Sequence, residues 1–165
     1  MKRIGLMSDT HGYIDPKIYE YFREVDEIWH AGDIGTIDVV DELRKFKPFR
    51  GVFGNIDGTE IRSELKEFER FMCEDVEVLI THIGGKPGKY YPKAKEKLEE
   101  KAPKLFICGH SHILFVKMDP HFNMLCMNPG ACGFKGFHVV KTLLRFSVTS
   151  DKIHDLEVIE IGKRI

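Results

Sequence analysis

The feature that most constrains this sequence is a series of short apolar runs, each of which stops at a polar or glycine-containing motif. Runs of this length that are rich in Ile, Val, Leu and Phe are typical of buried strands. In chain order they are Ile4–Met7 before Ser8-Asp9-Thr10-His11-Gly12, Ile28 and Trp29 before His30-Ala31-Gly32-Asp33, Val52 and Phe53 before Gly54-Asn55-Ile56-Asp57, Val78–Ile80 before Thr81-His82, and Leu105–Cys108 before Gly109-His110-Ser111-His112. Five strands that each end in polar residues predict a sheet-based fold with a polar rim.

Helices are predicted between these strands. Asp15 is placed to cap a helix over Pro16–Val25, because proline is favoured at the first helical position. Thr36 is placed to cap a second helix that runs to about Lys45, and Lys93–Lys101 predicts a third. The alternation of strands and helices predicts an α/β fold with mainly parallel strands.

Three segments interrupt this alternation and predict hairpins. They are 66–82 with a turn near Glu74-Asp75, 114–128 with a turn around residues 119–123, and 142–161 with a turn near Ser150-Asp151. So much antiparallel strand beside parallel units predicts two packed mixed β-sheets flanked by helices. A length of 165 residues suits one domain, and we assign residues 1–165 to it.

Composition and charge limit the partners. With 25 basic and 26 acidic residues the formal net charge is −1, so we expect no stable nucleic-acid complex. No run approaches the roughly 20 apolar residues of a membrane span, and the N-terminal stretch does not resemble a signal peptide. The four cysteines show no CxxC spacing and are expected to be reduced. We therefore expect a cytoplasmic protein without membrane contact, for which homo-oligomers stay open.

The polar residues at the strand ends carry the functional prediction. Ligands of open α/β sheets bind outside the carboxyl ends of the strands, so the five motifs are expected to converge. Each motif alone is more often a turn, a cap or a core histidine, but together they offer two carboxylates, one amide oxygen and four imidazoles. This set suits Mn²⁺, Fe²⁺, Zn²⁺, Ni²⁺ or Co²⁺ better than Ca²⁺ or Mg²⁺. The ligands are Asp9, His11, Asp33, Asn55, His82, His110 and His112.

This ordered series resembles the calcineurin-like metallophosphoesterase superfamily, and above all its small bacterial and archaeal phosphodiesterase branch. The resemblance runs from residue 4 to about residue 130. It implies a four-layer α/β/β/α sandwich and two divalent transition metal ions per chain, with manganese expected before iron, zinc, nickel or cobalt. It further implies that Asp9, His11 and His112 bind the first metal, that Asn55, His82 and His110 bind the second, and that Asp33 bridges both.

The expected reaction is hydrolysis of a small phosphate ester by a metal-bridging hydroxide. Two divalent ions outweigh two carboxylates by two positive charges, and the hydroxide lowers the excess to one. A diester monoanion neutralises that charge, so phosphodiesters are favoured over monoesters. Two alternatives stay open. One is a non-catalytic scaffold of the same fold, although such scaffolds lack key histidines that this chain keeps. The other is a regulator that binds a nucleotide without cleaving it.

One departure from the family concerns the acid that protonates the leaving group. The family often has histidine directly after the Gly-Asn pair, and the small branch often has cysteine, whereas this chain has Ile56. Asp57 either hydrogen-bonds a ligand or caps the turn before Thr59, and both readings are kept. We predict Asp33, Asn55 and Asp57 as the catalytic residues.

Other side chains near the motifs have two possible roles each. His30 is a core strand histidine or supports the site, and His138 is solvated or reaches the site mouth. Lys86 and Lys89 are ordinary exposed lysines or attract phosphate. The Tyr90-Tyr91 pair either packs at a helix entry or stacks on a base.

Overall fold

Twelve strands and four helices make up the chain, and the computed structural model describes all of residues 1–165. The strands are β1 (Lys2–Met7), β2 (Glu27–His30), β3 (Phe49–Gly51), β4 (Phe68–Cys73), β5 (Val76–Thr81), β6 (Gly85–Lys86), β7 (Lys89–Tyr90), β8 (Leu105–Ile107), β9 (Phe115–Asp119), β10 (Met124–Asn128), β11 (Val140–Thr149) and β12 (Lys152–Lys163). The helices are α1 (Lys17–Tyr21), α2 (Ile37–Phe46), α3 (Thr59–Glu64) and α4 (Pro92–Glu100). None of these helices has the length and apolarity that a membrane crossing requires.

Ten of the strands form two five-stranded mixed sheets, which confirms the predicted fold class. The first sheet has the order β12-β11-β1-β2-β3 and the second the order β4-β5-β8-β10-β9. The prediction of mainly parallel strands was wrong, because only β1–β2, β2–β3, β5–β8 and β8–β10 pair in parallel. All three predicted hairpins are present, and their strands make three of the four edges of these sheets antiparallel, whereas the edge strand β3 pairs in parallel.

Apolar side chains divide the molecule into four layers. The cluster between the sheets contains Trp29, Ile80, Ile107 and Phe146 among fifteen buried residues. A second cluster joins the outer face of the first sheet to α1, α2 and α3, and a third joins the second sheet to α4. Burying a large apolar side chain contributes about 1.5–3 kcal/mol, so this packing fixes the strand ends firmly.

The helices differ from their predictions mainly at their ends. Helix α1 is shorter than predicted and begins after Pro16, although the Asp15 carboxylate still accepts the Lys17 N–H at 3.0 Å. Helix α2 begins after Thr36 as predicted, and its buried Val40 and Leu43 lie on one face. Helix α4 starts one residue earlier than predicted.

Three short elements depart from the prediction. Strand β3 ends before Val52, which forms only an isolated bridge with Lys66. Helix α3 and the small β6–β7 hairpin were not predicted, because neither has enough apolar residues to produce a periodic pattern. These corrections leave the strand ends in place, and the carboxyl ends of the parallel strands meet at one edge of the sandwich.

Candidate metal centre

Backbone hydrogen bonds tie the motif loops into one rim. The Asp9 N–H donates to the Gly32 carbonyl at 3.0 Å, and the His11 N–H donates to the Asp33 carbonyl at 3.1 Å. At the end of the second sheet, the Gly109 N–H donates to the His82 carbonyl at 3.0 Å. Residues far apart in sequence therefore reach one site through contacts of the main chain itself.

Six of the seven predicted ligands form two adjoining clusters. In each cluster the candidate ligand atoms lie within 4.8 Å of one another: one comprises Asp9, His11 and His112, the other Asp33, His82 and His110. Asp33 faces both, because its Oδ2 atom is 3.2 Å from His82 Nε2 and 3.7 Å from His11 Nε2. Asp9 Oδ1 also lies 3.9 Å from His82 Nε2, so both carboxylates stand among the imidazoles, and Asp33 makes the shorter contact with His82.

The backbone at the ligands is strained. Five of them adopt left-handed φ angles, namely Asp9 (58°), His11 (48°), Asp33 (53°), His110 (70°) and His112 (61°). This conformation costs a non-glycine residue about 1–2 kcal/mol. The side chains of both members of the Asp-x-His and His-x-His pairs reach the two clusters from this backbone. Strain of this kind concentrated at one rim indicates a functional site.

Two histidine nitrogens in the rim have the environment of metal ligands. His82 Nδ1–H donates to the Ala31 carbonyl at 2.7 Å, so its Nε2 carries the lone pair. His82 Nε2 and His11 Nε2 are both buried without any hydrogen-bond partner. Leaving buried polar atoms unpaired costs about 1–3 kcal/mol each. A divalent cation would satisfy both, so these residues fit the metals that the sequence predicts.

A second histidine fixes the tautomer of His112. His138 Nε2–H donates to the Gly133 carbonyl at 2.7 Å, which leaves His138 Nδ1 as an acceptor. That atom lies 3.3 Å from His112 Nδ1 and accepts its N–H, while His112 Nε2 lies 3.1 Å from Asp9 Oδ1, on the side where the two residues would share a metal. His138 therefore reaches the site, as one of its two readings held, and its role is to orient a ligand.

Asp9 is fully buried and held from several sides. The Ser8 hydroxyl donates to Asp9 Oδ2 at 2.6 Å, and the His110 N–H donates to the same atom at 3.3 Å. Burial alone would raise the pKa of the Asp9 carboxyl, but contacts with His11 and His112 hold that pKa well below its usual range. Asp9 is therefore an anion at neutral pH, as a metal ligand must be.

The second cluster shows the same electrostatic pattern. Burial raises the pKa of Asp33, and the contact with His82 outweighs this and lowers it. Burial lowers the pKa of His82, and the carboxylates of Asp33 and Asp9 outweigh this and raise it. The pKa of His110 is lowered by burial and by the neighbouring His82. Both carboxylates thus supply the negative charge that the clustered imidazoles lack.

Asp57 binds the backbone of two motif loops. Its Oδ2 accepts the N–H groups of Gly54 at 2.7 Å and Ile34 at 3.1 Å, and its Oδ1 accepts that of Gly35 at 2.8 Å. These bonds join the loop that carries Asp33 to the loop that carries Asn55. Asp57 does not cap the turn before Thr59, where helix α3 has no side-chain cap, and its predicted catalytic role stays a prediction.

His30 is a fully buried strand histidine that also shapes the rim. Its Nε2 lies 3.0 Å from the Thr10 hydroxyl, and its Nδ1 accepts the Gly32 N–H at 3.1 Å. Burial lowers the pKa of His30 to about 4. The neutral ring therefore orders the Gly32-Asp33 turn. His30 is both a core strand histidine and a support of the site, so the two interpretations hold together.

Asn55, the seventh predicted ligand, lies beside the second cluster. It is exposed and shares a small cleft of about 190 Å³ with His82. The next residue, Ile56, donates its N–H to Asp33 Oδ1 at 3.1 Å. Gly54 permits this approach, because a Cβ atom there would lie 2.0 Å from Asp33 Oδ1. The loop thus brings Asn55 to the rim, and its binding to a metal stays a prediction.

Comparisons with known proteins agree with this geometry. Residues 1–151 match the family model of the calcineurin-like phosphoesterase superfamily domain. A protein of Methanothermobacter thermautotrophicus, named a probable metallophosphoesterase, is 32% identical over 142 residues, which cover 78% of this chain and 76% of that protein.

Solved structures share the fold at lower identity. An archaeal phosphodiesterase is 23% identical with a TM-score of 0.71 and covers 95% of this chain and 99% of its own. Wild-type Vps29 of Entamoeba histolytica in complex with zinc is 14% identical with a TM-score of 0.73, covering 97% of this chain and 98% of its own. At these identities the two structures support the fold alone.

Proposed function

Because this chain belongs to the calcineurin-like phosphoesterase superfamily, we propose that it is a cytoplasmic hydrolase that cleaves phosphodiesters with two divalent metal ions. The observation that carries the proposal is the pair of adjoining ligand clusters with the Asp33 carboxylate between them. Asp9, His11 and His112 would hold one ion, His82, His110 and Asn55 the other, and Asp33 both. When bound, two such ions supply a nucleophile from water at neutral pH and neutralise charge on the phosphate.

The chain's own residues prepare this site before any substrate arrives. The Asp57 carboxylate holds the Asp33 and Asn55 loops together, and His138 and the Ala31 carbonyl set the tautomers of His112 and His82. Such preorganisation lowers the reorganisation needed when charge develops on the phosphate oxygens. The proposed ligand charge, with one excess positive charge once a hydroxide is present, favours a diester monoanion over a monoester dianion.

Two alternatives are weighed by specific observations. The likeness to Vps29 in fold raises a non-catalytic scaffold, but the complete ligand set and its unpaired nitrogens favour catalysis. The presence of Ile56 where the family often has an acid supports the second alternative, a regulator that binds a nucleotide without cleaving it.

The test is metal-dependent turnover of a chromogenic diester. Purified protein is stripped by prolonged chelation and then supplied with Mn²⁺, Fe²⁺, Zn²⁺, Ni²⁺ or Co²⁺, and the hydrolysis of bis(4-nitrophenyl) phosphate is compared with that of 4-nitrophenyl phosphate. We expect stripping to abolish diester hydrolysis, Mn²⁺ to restore it best, and the diester to be preferred. Activity in fully stripped protein would refute the metal mechanism. Protein that binds two metals but hydrolyses neither ester would favour the scaffold or the regulator.

A further inference from the structure

A cleft of about 560 Å³ opens beside the proposed metal ligand His110, and the other proposed metal ligands do not line it. Its lining includes the side chains Lys86, Lys89, Tyr91, Ile113 and Lys117. It therefore combines positive charge with apolar surface directly next to the proposed second metal.

The three lysines of this cleft are not neutralised by the protein. Lys86, Lys89 and Lys117 are exposed, none forms an ion pair or a side-chain hydrogen bond, and no carboxylate lines the cleft. Several lysines elsewhere have acidic partners, as Lys93 has with Glu67 and Lys101 with Glu77. In a chain of net charge −1, three uncompensated cations in one cleft make a local field that attracts an anion.

Tyr91 gives the same cleft a flat ring. Its ring centroid is 6.1 Å from that of His110 at an interplanar angle of 79°, and 48% of the residue is exposed. The neighbouring Tyr90 anchors the segment, because its hydroxyl bonds the Asp119 carboxylate and its ring packs on Phe106. An exposed aromatic residue on a fixed backbone is the usual platform for stacking a nucleobase.

Two clefts of different volume border the second cluster. His110 borders the large basic cleft, whereas His82 and Asn55 border the cleft of about 190 Å³. The rings of His82 and His110 lie 5.2 Å apart, so one phosphate at this cluster would face both clefts. The two substituents of a diester would then meet a large charged space and a small one.

We propose that the cleft beside His110 selects phosphodiesters in which one substituent carries a planar ring and a second phosphate, as nucleotides do. This rests on the proposed phosphodiesterase activity and names its substrate class. Lys86, Lys89 and Lys117 bind the second phosphate, and Tyr91 stacks on the ring. Hydrolysis consumes one water and breaks one P–O bond, and the products are a phosphomonoester and an alcohol.

The test compares two substrates that differ by one phosphate group: a 5′-phosphorylated dinucleotide and the same dinucleoside monophosphate without it. For the wild type we expect kcat/KM to be about tenfold higher with the phosphorylated substrate, from a few surface charge contacts. The triple variant K86Q/K89Q/K117Q should bring this ratio to about one. The control K45Q/K152Q/K163Q changes the net charge equally at exposed lysines outside the cleft and should keep the wild-type ratio. Tyr91→Ala should lower kcat/KM about tenfold for both dinucleotides, and Tyr91→Phe should retain it.

The result separates this inference from the proposed function. A wild-type ratio near one, a ratio that survives the cleft variant, or an equal loss in the control variant would overturn the substrate class, even if bis(4-nitrophenyl) phosphate is hydrolysed. If no diester is hydrolysed, the proposed function fails. Calorimetric titration with the phosphorylated dinucleotide then tests whether the cleft binds this class of ligand. Binding about tenfold tighter to the wild type than to the cleft variant supports it, and equal affinities overturn it.

Discussion

The imidazole of His138 contacts that of His112, with the two Nδ1 atoms 3.3 Å apart. Gly136 makes this approach possible, because a Cβ atom at that position would lie 2.2 Å from His112 Nδ1. Since His138 donates its other N–H to the Gly133 carbonyl, its Nδ1 accepts from His112 Nδ1, and Nε2 of His112 faces Asp9 at 3.1 Å, where a metal would bind. One neutral histidine thus controls which nitrogen of another faces the site.

This contact predicts a loss confined to the first metal. Groups that orient a histidine ligand typically contribute 10–100-fold in metal affinity. We expect His138→Phe to weaken one of the two ions by about that factor, and His138→Gln to recover part of it by accepting the same hydrogen bond. Competition against a chelator would give both affinities, and ¹⁵N NMR would report the tautomer of His112. His154→Phe, at an exposed histidine outside the site, is the control. Equal weakening of both ions, or an unchanged tautomer, would contradict the orienting role.

The strands and the ligand rim were predictable because each carries a strong local signal. Buried strands such as β5 and β8 need continuous apolar runs, and hairpins such as β4–β5 need turn residues at fixed places. The convergence of the motifs followed from a general rule on the carboxyl ends of strands. Asp33 contacts imidazoles of both clusters, and its bridging of two metals stays a prediction.

Features that depend on tertiary contacts were not predictable in the same way. The left-handed φ angles of His11 and His112 are imposed by surrounding loops, and no local pattern marks them. His138 shows only a glycine two residues earlier as a signal, and its partner lies 26 positions away. Asp57 gave two equal readings because its three donors come partly from a loop more than 20 residues distant.

Asp33 is expected to be the most sensitive ligand. Its Oδ2 atom faces His82 and His11, one in each cluster, so one carboxylate orders both ions. Asp33→Asn should reduce bound metal from two ions to fewer than one per chain, whereas His112→Ala and His82→Ala should each lose a single ion. Elemental analysis after dialysis against a fixed metal concentration measures this. If Asp33→Asn still carries two ions at wild-type affinity, Asp33 does not bridge.

The buried His30 predicts a pH-dependent stability. Burial lowers its pKa from the ordinary 6.5 to about 4. Its contribution is complete above pH 6.5 and is lost as the pH falls towards 4, because the unfolded chain then binds a proton that the native ring does not. The difference corresponds to about 3 kcal/mol.

Urea unfolding of metal-free protein at pH 7.0, 5.5 and 4.5 measures this effect. His30→Gln removes the titrating group, so the stability difference between wild type and variant should shrink as the pH falls. A wild-type advantage over His30→Gln that does not change with pH would mean that His30 is not neutral in the native state.

Ile56 occupies the place where a general acid would stand, and its neighbours do not replace it. Its side chain is 47% exposed, and only its backbone N–H contacts Asp33. Both oxygens of Asp57 are occupied by backbone N–H groups, and the one N–H of His138 goes to Gly133. With neither Asp57 nor His138 free to protonate the departing oxygen, diesters with good leaving groups should react far better than those with poor ones.

The prediction is a steep fall of kcat/KM as the pKa of the leaving group rises, and its partial repair by Ile56→His. A positioned acid typically contributes 10²–10⁴-fold, so we expect about 100-fold for alkyl leaving groups and little change for 4-nitrophenyl.

The substitution is tolerable because the Ile56 side chain does not belong to the core. Ile56→Gln, of similar size without an acidic proton, is the matched control, and metal content is checked in each protein. The measurement is a series of diesters with graded leaving groups on all three proteins. If the wild type shows a flat dependence, an acid does operate in this site, and Asp57 or His138 must then release a backbone contact to supply the proton.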